Sequence, residues 1–218
     1  MNLLYFLFLN GLFIAISDVT LQTFLGCKSR WFQLHSFINF IIVILTFGDF
    51  KMMVTDPLKG ISQYCDRSAS CLIFSLHLHH LVAYKKKTRM DYIHHIVSCF
   101  ILGLPAILFY YNKALNLGNF FICGFPGLIN YMCLTFVKHK IIDKTTEKKI
   151  NAIINCYLRL PGIIFTIILN NIAYQYHYDK YTTPSMFWVG SIILFWNGTF
   201  FCYEAILNYA IHNKQALK

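Results

Sequence analysis

Seven apolar stretches, each about as long as a lipid bilayer is thick when helical, dominate the sequence and leave little chain for anything else. They cover residues 3–24, 31–48, 68–84, 90–111, 118–137, 150–173 and 185–210, and the third is the shortest. A hydrocarbon core of roughly 30 Å takes about 20 apolar residues per helical crossing. The 218 residues are 57% hydrophobic and only 13% charged, with a mean hydropathy of +0.52, more apolar than one soluble core can absorb. A water-soluble globular domain is therefore excluded. No fixed period and no low-complexity tract is present, so repeat, fibrous and disordered classes fail as well. The expected fold is all-α, an integral membrane bundle of about seven transmembrane helices.

Short polar connections separate the stretches, among them Gly26–Arg30, Thr55–Gly60, Lys85–Arg89 and Lys138–Lys149. Residues 1–30 read as a first helix and basic loop, 31–210 as a six-helix domain and 211–218 as a short tail. Leu3–Ile16 has no basic leader and no small-residue cleavage site, so it is expected to stay as a helix. Pro105, Pro126 and Pro161 fall inside spans four, five and six, where neighbouring helices must cover the freed carbonyls. The net charge of +10 would suggest nucleic acid in a soluble chain. Sorted by loop, thirteen Lys and Arg lie on the side of the C-terminus and five on the other. That bias reports orientation, with the C-terminus cytosolic and the N-terminus lumenal or outside, and no nucleic-acid partner is expected. The eight cysteines form no CxxC pair and fall mostly in apolar runs, as buried free thiols do.

Ionisable groups inside the spans carry the functional information, because they cost free energy in lipid and turn toward the bundle interior. Span three ends in His77-Leu78-His79-His80, and span four begins with Asp91-Tyr92-Ile93-His94-His95. Only the Lys85–Arg89 turn separates them, so both histidine groups are expected near the cytosolic interface of adjacent helices. Asp91, His95 and Ser98 share one helix face, an arrangement that suits a carboxylate-oriented imidazole acting as base or nucleophile. The competing reading makes these histidines interfacial amphipathic groups beside a basic loop. Arg159 lies nine residues into span six and needs an acceptor, for which Glu204 on the Asn197/Glu204/Asn208 face of span seven is the leading candidate. That pair either ties the last two helices together or helps hold an anionic headgroup. Span seven has no lysine in its membrane part, which rejects a retinal protein. The histidines are too few and too closely spaced for a di-iron desaturase; a smaller metal site stays open, and no metal is assigned. No phosphate loop, selectivity-filter sequence or internal repeat is present.

These residues, in this order, resemble the TLC-domain family, which includes ceramide synthases and translocation-associated membrane proteins. The likeness runs from about Arg30 to Ala210. It passes through Leu34-His35-Ser36, Asp56-Pro57, the Ser75-to-Tyr84 helix, Asp91-Tyr92-Ile93-His94-His95-Ile96-Val97-Ser98, Pro126-Gly127-Leu128-Ile129-Asn130, and Asn155 with Arg159. Ceramide synthases follow the histidine pair with an acid-rich segment, whereas Cys123–Tyr131 holds no Asp or Glu, so the chain is nearer to the small TLC-domain proteins. The resemblance implies a lipid-metabolic or lipid-handling role, acyl transfer from acyl-CoA as co-substrate to a membrane lipid or sphingoid base, and residence in the endoplasmic reticulum. His94 and His95 would then be the acyl-transfer histidines, oriented by Asp91. His77, His79, His80, Arg159 and Glu204 would contact the substrate, and Lys85, Lys86, Lys87 and Arg89 would attract its phosphates. The same family also implies an alternative, a non-enzymatic cargo, translocation or lipid-sensing protein.

Overall fold

No water is available inside a bilayer to bind backbone N–H and C=O groups, and a helix is how one apolar segment satisfies its own. The computed structural model describes residues 3–84, 89–109, 112–176 and 183–216, and these are helical almost throughout, with no strand among them. Helix α1 (Leu3–Leu25) meets α2 (Arg30–Thr55) through a single 3-10 turn, Cys27–Ser29. A short α3 (Pro57–Ile61) leads to α4 (Ser68–Ala83). Then α5 (Arg89–Ile96) runs through a π segment, Val97–Gly103, into α6 (Leu104–Phe109). In the same way α7 (Ala114–Asn119) passes through Phe120–Gly124 into α8 (Phe125–Lys138), and α9 (Lys144–Ile154) through Asn155–Arg159 into α10 (Leu160–Gln175). The last helix is α11 (Pro184–Ala216).

Five of these rods are long and apolar enough to cross a membrane: Leu3–Leu25, Cys27–Thr55, Ala114–Lys138, Lys144–Gln175 and Pro184–Lys214. Ser68–Ala83 and His94–Phe109 are shorter apolar helices, so each of the seven expected stretches holds a helix but two fall short of spanning length. At 1.5 Å per residue the 16 residues of α4 reach about 24 Å. Two boundaries differ from expectation for electrostatic reasons. Helix α2 continues to Thr55 because Asp49, met just beyond the apolar run, is neutralised inside the bundle by Lys113 Nζ at 2.6 Å and Asn116 Nδ2 at 2.8 Å. Helix α9 starts at Lys144 because Asp143 caps it, accepting from the Thr146 N–H at 2.8 Å and the Thr146 hydroxyl at 2.6 Å. Those bonds hold the Asp143 carboxyl below the usual carboxylate range.

Each in-span proline leaves the same mark. The three π segments end two residues before Pro105, Pro126 and Pro161. A proline ring clashes with the carbonyl four residues back and cannot bond to it. Opening one turn into π register relieves the clash. The residue just before each proline donates instead to the carbonyl five back, Leu104 to Cys99, Phe125 to Phe120 and Leu160 to Asn155.

Helix α2 lies between its neighbours and buries Leu34, Ile38 and Ile42 against Ile14 of α1 and Ala69, Leu72 and Leu76 of α4. A second cluster joins Met53, Leu117, Phe120, Phe121, Ile163 and Leu169. Within it, Gly162 sits face-on to the buried Phe121 ring, with no room for a β-carbon. Replacing Gly162 with alanine should overpack this contact and cost about 1–3 kcal/mol. Gly11→Ala, with open space around it, should leave stability unchanged or slightly raised. Thermal melts of both variants in detergent, followed by helical circular dichroism, check the contrast; equal melting would refute the packing argument.

Candidate functional site

Spacing of four along a helix returns a side chain to nearly the same face, and two polar ladders of this kind converge inside the bundle. On α2 the ladder is Trp31, His35 and Asn39; across α9 and its π segment it is Glu147, Asn151, Asn155 and Arg159. Helix α4 adds His77 and His80, α5 adds His94 and His95, the next π segment adds Ser98, and α11 adds Asn197, Phe201, Glu204 and Asn208. Together they line a cavity of about 670 Å³ with a mainly apolar wall. Each of the three π segments contributes lining residues: Ser98 and Gly103, Ile122 and Cys123, and Asn155 with Arg159.

One end of the cavity is built from imidazoles. The ring centres of His77, His94 and His95 form a nearly equilateral triangle, 5.5 Å from His77 to His94, 5.2 Å to His95, and 5.4 Å between the last two. His80 meets His95 edge-on at 4.4 Å, and Trp31 lies between His80 and His35, 3.4 Å from each ring centre. Nδ1 of His77 donates to the Ile73 carbonyl at 2.8 Å and Nδ1 of His35 to the Trp31 carbonyl at 3.2 Å. A carbonyl only accepts, so both rings are fixed as Nδ1–H tautomers with the Nε2 lone pair free to act.

Arg159 also lines the cavity. Its guanidinium lies 4.7 Å over the Phe201 ring, which also meets His94 in a perpendicular arrangement at 6.0 Å. The expected Arg159–Glu204 pair is corrected by this arrangement. Arg159 makes long bonds to Asn155 Oδ1 at 3.5 Å and Asn197 Oδ1 at 3.4 Å, its Nε has no protein acceptor, and no ion pair joins it to Glu204 among the described residues. The amides on neighbouring turns reach it first, while Glu204 separately lines the cavity. Arg159 therefore keeps donor capacity for an oxygen-bearing guest. Glu147 was not singled out by its loop position, yet it is 1% exposed; Lys148 Nζ approaches Oε2 to 3.0 Å without good hydrogen-bond alignment.

His79 is a second correction. It does not line the cavity but points to the opposite side of α4, where Nε2 donates to Asp18 Oδ2 at 2.9 Å. Arg30 closes on the same carboxylate through Nη2 at 2.6 Å and Nε at 3.0 Å. Asp18 is 2% exposed, so α1, α2 and α4 are tied at one buried anion. Position 79 differs from 77 and 80 by helix rotation, and an adjacent-histidine pattern read along the sequence hides that. Arg89 is exposed at the start of α5 and does not line the cavity. Lys85, Lys86 and Lys87 lie outside the described residues, as does the side chain of Asp91. Thus His77, His80, His94, His95, Arg159 and Glu204 line one cavity. Trp31, His35, Asn39 and Glu147 are additions, and their four-residue spacing was the available signal.

Comparison of the chain with protein-family models, curated proteins and solved structures gives no match.

The Asp18 clamp yields a stability test. Asp18→Ala strands Arg30 and His79, and should cost less than the roughly 3–5 kcal/mol of a fully buried pair because Arg30 is a third exposed. His79→Gln, which can still donate to the carboxylate, should melt close to the wild type, and His79→Ala well below it. Equal melting of the two His79 variants would show that the bond holds nothing.

Proposed function

We propose that this chain is a TLC-type multi-pass protein of an internal membrane, the endoplasmic reticulum or one related to it, that transfers an acyl group from acyl-CoA to a membrane lipid. The observation that carries the reading is the cavity itself. Two buried imidazoles, His77 and His95, and the half-buried His94 stand at one end of a mostly apolar chamber whose size is in the range of roughly 300–1,000 Å³ found for small-molecule sites. An apolar wall suits acyl chains, and the imidazole end suits proton transfer.

The chemistry asked of the residues is modest. A lipid amine, such as that of a sphingoid base, attacks the thioester carbonyl, forming a C–N bond as the C–S bond breaks. His95 takes the proton from the attacking nitrogen and delivers it to the departing thiolate, so charge and protons balance. His94 assists, Asp91 orients His95, and the donors of Arg159 stabilise negative charge on a bound oxygen. Lys85, Lys86, Lys87 and Arg89, basic residues between the two histidine groups in sequence, attract the phosphates of the incoming coenzyme.

Seven spans complete the reading, with α4 and the His94–Phe109 helix as the two short ones, a lumenal N-terminus and a cytosolic C-terminus. The thirteen-to-five distribution of basic residues supports this orientation. Cys27, free and exposed in the first connection, then faces the cytosol. In sealed microsomes of a Cys65→Ser variant, a membrane-impermeant maleimide should label Cys27 without permeabilisation. Labelling only after permeabilisation reverses the orientation.

For the activity, purified protein in liposomes with acyl-CoA and a sphingoid base should form the amide, and His95→Ala should lower turnover by about 10²–10⁴-fold. Undiminished turnover in that variant removes His95 from the chemistry. Binding of lipid without any turnover by the wild type would favour the non-enzymatic alternative.

A further inference from the structure

We propose that His77, His94 and His95 form a three-histidine site for a first-row transition-metal dication of the zinc class, with its fourth coordination position open to the cavity. The three rings offer one nitrogen each, and all of these atoms lie within 4.8 Å of one another. Tetrahedral zinc with Zn–N bonds of 2.0–2.1 Å puts its ligand nitrogens about 3.4 Å apart, so side-chain rotations of about an ångström close the site. The ligands come from α4 and α5, two helices consecutive in the chain, and the three ring separations are nearly equal, as convergence on one point requires.

Two further features select a metal over a simple histidine cluster. The Nδ1–H of His77 is committed to the Ile73 carbonyl, leaving Nε2 as its coordinating atom. Metal-bound histidines are usually held by such a second hydrogen bond, which fixes both tautomer and ring angle. The rings are also backed by other side chains, His95 by the edge of His80 and His94 by Phe201, so they keep their directions without the ion. Neutral imidazoles suit zinc, copper or nickel and disfavour calcium and magnesium, which take oxygen ligands. The remaining position faces the chamber that also holds Ser98 and Glu204, and an oxygen-bearing guest or water can fill it.

The site stands on ring geometry and does not rest on the acyl-transfer reading. The two meet in one consequence. A bound dication occupies the lone pair that His95 needs as a base, so the metal-loaded and acyl-transferring forms exclude each other and loading inhibits.

Detergent-purified protein, stripped with a chelator and then freed of it, is titrated with Co²⁺ alone. The expected result is one Co²⁺ per chain with the intense visible bands of a tetrahedral ion, displaced by Zn²⁺. His77→Ala, His94→Ala and His95→Ala should each abolish those bands, while His79→Gln retains them; helical circular dichroism on every variant checks that it is folded. No saturable binding by the wild type, or bands that persist in a folded His94→Ala/His95→Ala double variant, overturns the site. Acyl transfer measured on the same samples separates the two proposals. Tetrahedral Co²⁺ binding without transfer in either form keeps the site and ends the transferase reading. Transfer by a chain that binds no metal does the reverse, and transfer that continues at saturating Zn²⁺ overturns the mutual exclusion.

Discussion

Everything in this bundle follows from one constraint: polar groups have nowhere to go but inward. The outer surface carries large apolar side chains such as Phe8, Phe24, Val82, Trp188 and Ile192, while Asn39, Thr46, His95, Asn116, Glu147 and Thr166 are buried. This is the reverse of a soluble domain, where the informative observation is a buried polar group. In lipid an unsatisfied polar group costs several kcal/mol, so each one must find a partner or a wet cavity. The chain uses both solutions. Asp18 and Asp49 are each closed by a cation and a further donor, whereas the histidines and Arg159 collect around open space.

The prolines shape that open space. A straight α-helix would close against its neighbours along its whole length, but each π segment widens one turn and shifts the face that follows. Gly103 shows how tightly that turn is made: a β-carbon there would stand 2.7 Å from the Ser98 carbonyl. Because all three π segments border the cavity, three backbone distortions are concentrated at one place. π turns recur at functional sites for this reason, since they re-aim side chains without breaking the helix. Asn155 and Arg159 are a direct case, lying at the two ends of one π segment and bonded to each other through Nη1.

Most of the fold was legible because hydropathy is a strong, local signal. All seven stretches hold helices, but only five are of spanning length, and two boundaries shift where charge extends a helix beyond the apolar run, after it at Asp49 in α2 and before it at the Asp143 cap of α9. The site was legible in kind but less so in detail. Residue type alone singled out the histidines and Arg159, since ionisable groups in lipid are rare. Which histidine faces where was not legible, because His79 and His80 are neighbours in sequence and about 100° apart on the helix. The partner of Arg159 is hidden for a related reason: charge points to Glu204, while the geometry favours the nearer amides of Asn155 and Asn197. The four-residue ladders escaped notice because their members are mostly uncharged.

The clamp and the cavity are two faces of one helix. Fixing His79 to Asp18 sets the rotation of α4, and on a helix that places residues 77 and 80 on the other side, toward the interior. The same carboxylate holds Arg30, and the next residue, Trp31, wedges between His80 and His35. A single buried anion thus orients imidazoles from α2 and α4 that it never touches. If the clamp is loosened, His77 should lose its register with His94 and His95 before the bundle unfolds, because the helix rotates more easily than it separates. Asp18 thus links the packing of α1, α2 and α4 to the histidine end of the cavity, so that an ion pair and a candidate site are here parts of one mechanical element.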